Sequence, residues 1–141
     1  MASVTKSVTL PGTPEEAFAF ASDPNRFGEW LTIHSGWPNG VPDVGEGEEF
    51  TQKLTMMGMP ADVTWKVEEL TPTSSVMSGV GPMGVQLKTK ISAVAGDDGS
   101  EVSYESEFSG AGIEGPMAEM VSKTAGEQIE LSLAKLVELA G

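Results

Sequence analysis

"TPEEAFAFASDPNRFGEW", Thr13 to Trp30, decides how the chain is built, because it carries two helix-starting signals in quick succession. Thr13 offers a hydroxyl to cap a helix, Pro14 suits the first helical position, and Glu16 completes a capping box. Asp23 followed by Pro24 repeats the signal. Phe27, Trp30, Leu31 and His34 then fall at i, i+3, i+4 and i+7, which predicts one face of a second short helix.

The flanks have a different period. Upstream, "ASVTKSVTL" alternates, with Val4, Lys6, Val8 and Leu10 on one face, and reads as a strand. Downstream from Gly47, alternation returns again and again. Phe50, Gln52, Leu54 and Met56 share a face; Val63, Trp65 and Val67 share the next. After "VMSGV", Val85, Leu87, Thr89, Ile91 and Ala93 face one way, then Val102, Tyr104, Ser106 and Phe108. "AGDDGS" reads as a hairpin tip. One dry face and one wet face is the antiparallel pattern. The stretch from Pro116 to Leu139 has helical period, with Met117, Met120, Val121 and Thr124 as its first stripe and Ile129, Leu133, Leu136 and Val137 continuing it. Gly126 interrupts that helix at a cost of about 1 kcal/mol against alanine, which suggests a close approach or a bend.

The whole chain, residues 1–141, reads as one α+β domain without repeats or linkers. With 21 acidic and 8 basic side chains the formal charge is −13. That field repels phosphate backbones and anionic lipid heads, so nucleic-acid binding and polybasic membrane attachment are disfavoured. Cysteine is absent, which excludes disulfides, thiolate nucleophiles and Cys-ligated zinc. No apolar leader and no membrane-spanning run is visible in these residues. A cytoplasmic monomer or homodimer is the expectation.

Strands of about ten residues span roughly 34 Å, and a helix of about twenty-four residues roughly 36 Å. A long helix laid along a twisted, curling sheet leaves space that cannot be filled evenly. We therefore expect an apolar cavity between helix and sheet, with the two short helices plugging one end.

This order of elements, together with "TPEEAFAFASDPNRFGEW" and the amphipathic C-terminal helix, resembles the helix-grip fold of the START-like and birch-pollen-allergen superfamily, also called polyketide cyclase/dehydrase and lipid transport proteins. The resemblance covers essentially the whole chain. It implies a curved antiparallel sheet of six to seven strands around one long C-terminal helix, enclosing a cavity for a lipid, fatty acid, polyketide or similar ligand. "ASDPNRFGEWLTIH" is similar to a bacterial subgroup of stand-alone members, some described as toxin halves of toxin–antitoxin pairs. A small antitoxin-like protein is the partner this subgroup implies. The other alternative is a cyclase or dehydratase working without metal. No cofactor or metal site is expected.

The ligand-lining candidates are Trp30, His34, Leu54, Met56, Trp65, Val67, Leu87, Ile91, Tyr104, Phe108, Met117, Met120 and Val121. Methionine adapts to varied apolar shapes, and Met56, Met117 and Met120 fall on expected inward faces; gap-filling in a core is the alternative. Trp65 and Tyr104 could each give a ligand a hydrogen bond, or bond a backbone carbonyl instead. Among acid–base candidates only His34 and Tyr104 stand out. His34 is the sole side chain titrating near neutrality, and its apolar company reads as the cavity's lip, with Trp37 in the loop beyond.

Three motifs carry less. "GVGPMG", residues 79–84, spells G-x-G-x-x-G, but strand period follows it where a dinucleotide site needs a helix N-terminus. It reads as a hairpin turn. The acidic run Asp43, Glu46, Glu48 and Glu49 lacks calcium-loop spacing, and reads as a solvated loop. The pairs Glu68–Glu69 and Asp97–Asp98 diverge to opposite faces when extended.

Overall fold

A computed structural model describes residues 2–42, 45–56, 59–81, 84–110, 113 and 115–140, apart from the side chains of Met56 and Met59. The chain enters through strand β1 (Ala2–Leu10) and passes to helix α1 (Pro14–Ser22). A 3-10 turn over Pro24–Arg26 leads into helix α2 (Phe27–Trp30). Strands β2 (His34–Gly36), β3 (Glu49–Met56), β4 (Met59–Thr71), β5 (Ser74–Val80), β6 (Gln86–Gly96) and β7 (Gly99–Ser109) follow, and helix α3 (Pro116–Ala140) ends the chain.

All seven strands form one sheet in the order β1-β7-β6-β5-β4-β3-β2, and each neighbouring pair is antiparallel. This is the helix-grip arrangement. Alternation sets its faces: Leu87, Thr89, Ile91 and Ala93 on β6, and Val102, Tyr104, Ser106 and Phe108 on β7, are all buried. The tip between β6 and β7 pairs Gly96 with Gly99 across Asp97 and Asp98. Gly99 holds a positive φ of 140°, and a Cβ there would sit 2.3 Å from the Leu10 carbonyl oxygen, so no larger residue fits.

The helix starts are those the sequence signals. The Thr13 hydroxyl accepts from Glu16 N–H at 3.2 Å while the Glu16 carboxylate accepts from Thr13 N–H at 3.1 Å. Asp23 Oδ1 accepts from Asn25 N–H at 2.9 Å. Helix α2, however, stops at Trp30. Leu31 turns extended at φ −79°, ψ 100°, and His34 opens a strand opposite Leu54. The helical spacing that joined His34 to Trp30 is therefore broken, and β2 replaces the last helical turn.

Helix α3 packs on β1 and α2, and its buried face is Val121, Ala125, Ile129, Ser132, Leu133 and Leu136. Met117 and Met120 are 45% and 53% exposed, contrary to their expected inward placement. At about 100° of rotation per residue, a seam through Val121, Ala125 and Ile129 swings Met120 away from the sheet. Small residues fix that seam. Ser132, fully buried, accepts from Thr32 N–H at 2.9 Å, and Thr32 Oγ1 lies 2.7 Å from Gln128 Oε1. These bonds clamp the segment after α2 against α3. Val137, also expected on the stripe, is 38% exposed.

Gly126 is buried facing β1, where an added Cβ would meet Lys6 Cε at 3.8 Å and Val4 Cγ1 at 4.0 Å. These are ordinary van der Waals separations, so no close approach demands glycine there.

Candidate ligand groove

Two spaces must be distinguished. The first lies beneath α3, bounded by Leu54, Trp65, Leu87, Tyr104, Phe108 and Ile129. Its volume is about 20 Å³, room for about one water. The expected hollow between long helix and sheet is thus filled by the chain's own side chains. Trp65 and Phe108 supply much of that filling, and Gly79 lets the Trp65 ring lie flat on β5, since a Cβ at Gly79 would sit 2.7 Å from Trp65 Cε3.

The second space is a groove of about 660 Å³ between the short helices and the sheet. Phe18 of α1, Phe27 of α2 and Trp37 line one side; Phe50, Met77 and Ile91 reach it from β3, β5 and β6. Thr71 and Pro72, in the turn after β4, line it as well. Trp37 is fixed in place by its indole N–H, which donates to the Pro24 carbonyl at 3.1 Å. Its ring lies 4.8 Å from His34, 5.9 Å from Phe27 and 5.7 Å from Phe50, centre to centre. The 3-10 turn that Asp23 and Pro24 initiate therefore does more than join helices, because its carbonyl orients the aromatic wall.

Of the expected lining residues, Ile91 is the one that reaches this groove among the described residues. Leu54, Trp65, Leu87, Tyr104 and Phe108 surround the filled interior instead, and Trp65 and Leu87 also border a cleft of about 600 Å³ along β4, β5 and β6. Val67 and Val121 are buried but line neither space, and the Met56 side chain lies outside the described residues. Trp30 is 1% exposed, and its indole N–H finds no partner among the described residues. Phe18, Trp37, Phe50 and Met77 are the groove residues that sequence reasoning did not select. The available signal was the aromatic density between Phe18 and Phe50; Trp37 was read as lying in a loop beyond the site.

His34 and Tyr104 are each held by the structure, and neither lines the groove. Trp65 Nε1 can only donate, and it donates to Gln52 Oε1 at 3.0 Å. That turns the Gln52 amide nitrogen, also a donor, toward His34 Nδ1 at 2.8 Å. His34 Nδ1 must then accept, which places the ring proton on Nε2 and keeps the imidazole neutral. Burial accordingly lowers the His34 pKa below 6.5. Burial pushes the Tyr104 phenol up to about 12, partly opposed by a hydrogen bond with Thr89. The imidazole is bonded to Gln52 and the phenol to Thr89, and no hydrogen bond joins the two among the described residues.

Among the other motifs, Gly79–Gly81 joins β5 to the approach of β6, and Gly81 N–H donates to the Val85 carbonyl at 2.8 Å. Pro82 and Met83 lie outside the described residues, as does Asp43 of the acidic run. Glu46 accepts from Leu70 N–H at 3.4 Å. No helix among the described residues is long and apolar enough to cross a membrane.

Comparison with known proteins agrees with this architecture. An uncharacterized protein of Mycobacterium tuberculosis H37Rv, Rv1546, is 32% identical over 143 residues, covering 100% of both chains. A second protein of that strain, named Toxin Rv0910, is 32% identical over 139 residues, covering 97% of this chain and 96% of that one. Among solved structures, a START superfamily protein from Mycobacterium smegmatis superposes with a TM-score of 0.71 at 18% identity, covering 99% of this chain and 97% of that chain. The model of one family, described as polyketide cyclase/dehydrase and lipid transport, matches residues 1–141. The chain belongs to the polyketide cyclase/dehydrase and lipid transport family.

Proposed function

We propose that the protein binds a small hydrophobic ligand in the groove between its short helices and the sheet, as a carrier or sequestering module. The observation that carries this reading is the 660 Å³ groove walled by Phe18, Phe27, Trp37 and Phe50. Small-molecule sites fall at about 300–1,000 Å³ and are mostly apolar with a few polar groups. The family's description as lipid transport supports the same reading. Native mass spectrometry of purified protein, with organic extraction, tests it, alongside titration with apolar fluorescent probes. Met77→Trp, which fills the groove, should weaken binding. Absence of both a copurified ligand and saturable binding across lipid classes would refute the reading.

The name of the Mycobacterium tuberculosis relative favours a second reading, a growth-inhibiting toxin neutralised by a small partner protein. Induced expression that leaves growth unchanged would count against it. A cyclase or dehydratase role would need His34 or Tyr104 at the substrate. Neither reaches the groove, so His34→Ala should leave any turnover intact.

A further inference from the structure

We infer that the groove takes an uncharged, ring-bearing molecule and discriminates against anions such as free fatty acids; this rests on the groove being the binding site proposed above. The argument is an accounting of cations. The chain has 8 Lys and Arg residues, and none lines the groove. Lys53, Lys66, Lys88 and Lys90 are exposed on the sheet, each alternating with buried neighbours, and Lys123 and Lys135 are exposed on α3. Lys6 lies on β1, 3.6 Å from Glu130.

Arg26 is the nearest to the site in sequence, and it is already occupied. Its guanidinium lies 3.6 Å from Asp23 and 3.9 Å from Glu29, and 4.8 Å over the Phe20 ring. Among the described residues lining the groove, Asp23 alone is ionisable. A carboxylate moving in from water would lose hydration, meet no cation, and approach a carboxylate. The overall charge of −13 adds repulsion of the same sign.

A neutral polar atom is treated differently. Ser75 lines the groove from β5 at 4% exposure, and its hydroxyl has no side-chain hydrogen bond among the described residues. It is free to donate to, or accept from, one uncharged group. Shape favours rings over chains. Phe27, Trp37 and Phe50 line the groove as one packed aromatic cluster, with Phe27 and Trp37 tilted by 31° and Trp37 meeting Phe50 at 69°, a wall that suits contact with an aromatic ring. The interior beneath α3, at about 20 Å³, is too small to take an acyl tail.

A pair of probes with one ring system tests the inference: N-phenyl-1-naphthylamine, which is neutral, and 1-anilinonaphthalene-8-sulfonate, which is anionic. At low salt the neutral probe should bind saturably and about tenfold or more tightly than the sulfonate, and added salt should narrow the gap. Ala19→Lys places a cation on an exposed groove-side position of α1, where lysine suits a helix. The ratio of the two dissociation constants should then fall about fivefold. Equal or tighter sulfonate binding by the unmodified protein, or an unmoved ratio in the variant, would overturn the charge argument alone. Failure of both probes to saturate would overturn the groove as a site as well.

Discussion

Gln52→Leu removes the amide that joins Trp65 to His34 while keeping a side chain of similar bulk. Gln52 is 4% exposed and Trp65 4%, so the Trp65 N–H that now donates at 3.0 Å would be left buried and unpaired. A buried unsatisfied donor costs about 1–3 kcal/mol, and a neutral hydrogen bond about 0.5–1.5 kcal/mol net. Some of this is offset by the apolar burial of leucine, so a loss of about 1–2 kcal/mol is expected. Urea unfolding followed by tryptophan fluorescence measures it as a lower midpoint with unchanged slope. The same variant frees His34 Nδ1 from its donor. The chain has one histidine, so a single imidazole resonance reports its pKa, which should move up from the lowered native value. Gln52→Glu should raise it further, because a carboxylate there can accept from both the indole and the imidazolium. A leucine variant as stable as the parent, with an unmoved histidine titration, would refute the relay.

Other expectations concern pH and glycine. The His34 pKa is lowered by burial, so its neutral form contributes stability present above about pH 6.5, the unfolded value, and lost as pH falls through the lower folded value. The stability difference between the parent and His34→Ala should therefore shrink between about pH 7.5 and 5.5, and a difference that grows on acidification would contradict the tautomer assignment. Gly126→Ala should raise stability by up to about 1 kcal/mol, since its Cβ would meet Lys6 and Val4 only at 3.8–4.0 Å; destabilisation would mean that the helix needs its glycine. Gly79→Ala should cost about 1–3 kcal/mol through overpacking, because the new Cβ would fall 2.7 Å from Trp65 and 2.8 Å from Val63. A neutral outcome in thermal unfolding would show that the Trp65 ring can shift.

What the sequence made legible was local. Thr13, Glu16 and Asp23 act within three residues of themselves, so their capping roles follow from spacing and are seen in the structure. Alternation placed Leu87, Ile91, Tyr104 and Phe108 on the inner face, as found. Longer-range outcomes were not legible. The orientation of α3 depends on Ser132 meeting Thr32 one hundred residues away, and a search for bulky apolar stripes gave Met117 and Met120 the weight that Ala125 and Ser132 deserved. The proposed groove lies apart from the expected cavity for a related reason. Whether a helix and a sheet enclose a hollow depends on summed side-chain volumes, and Trp65, Tyr104 and Phe108 fill the space that strand and helix lengths alone leave open. Trp37 became a wall because a carbonyl in the Pro24 turn holds its indole, which no periodicity encodes.

The three tryptophans allow the location of the site to be read directly. Trp37 lines the groove, Trp65 borders the filled interior, and Trp30 lines neither, its ring standing edge-on behind Phe27 at 5.7 Å. Titration of ¹⁵N-labelled protein with N-phenyl-1-naphthylamine, observed at the indole N–H resonances, should shift Trp37 saturably and most strongly, and leave Trp65 in place. A saturable shift of Trp65 with Trp37 unmoved would put the guest beneath the long helix or in the cleft along Trp65, Gly79 and Leu87, and in either case contradict the groove.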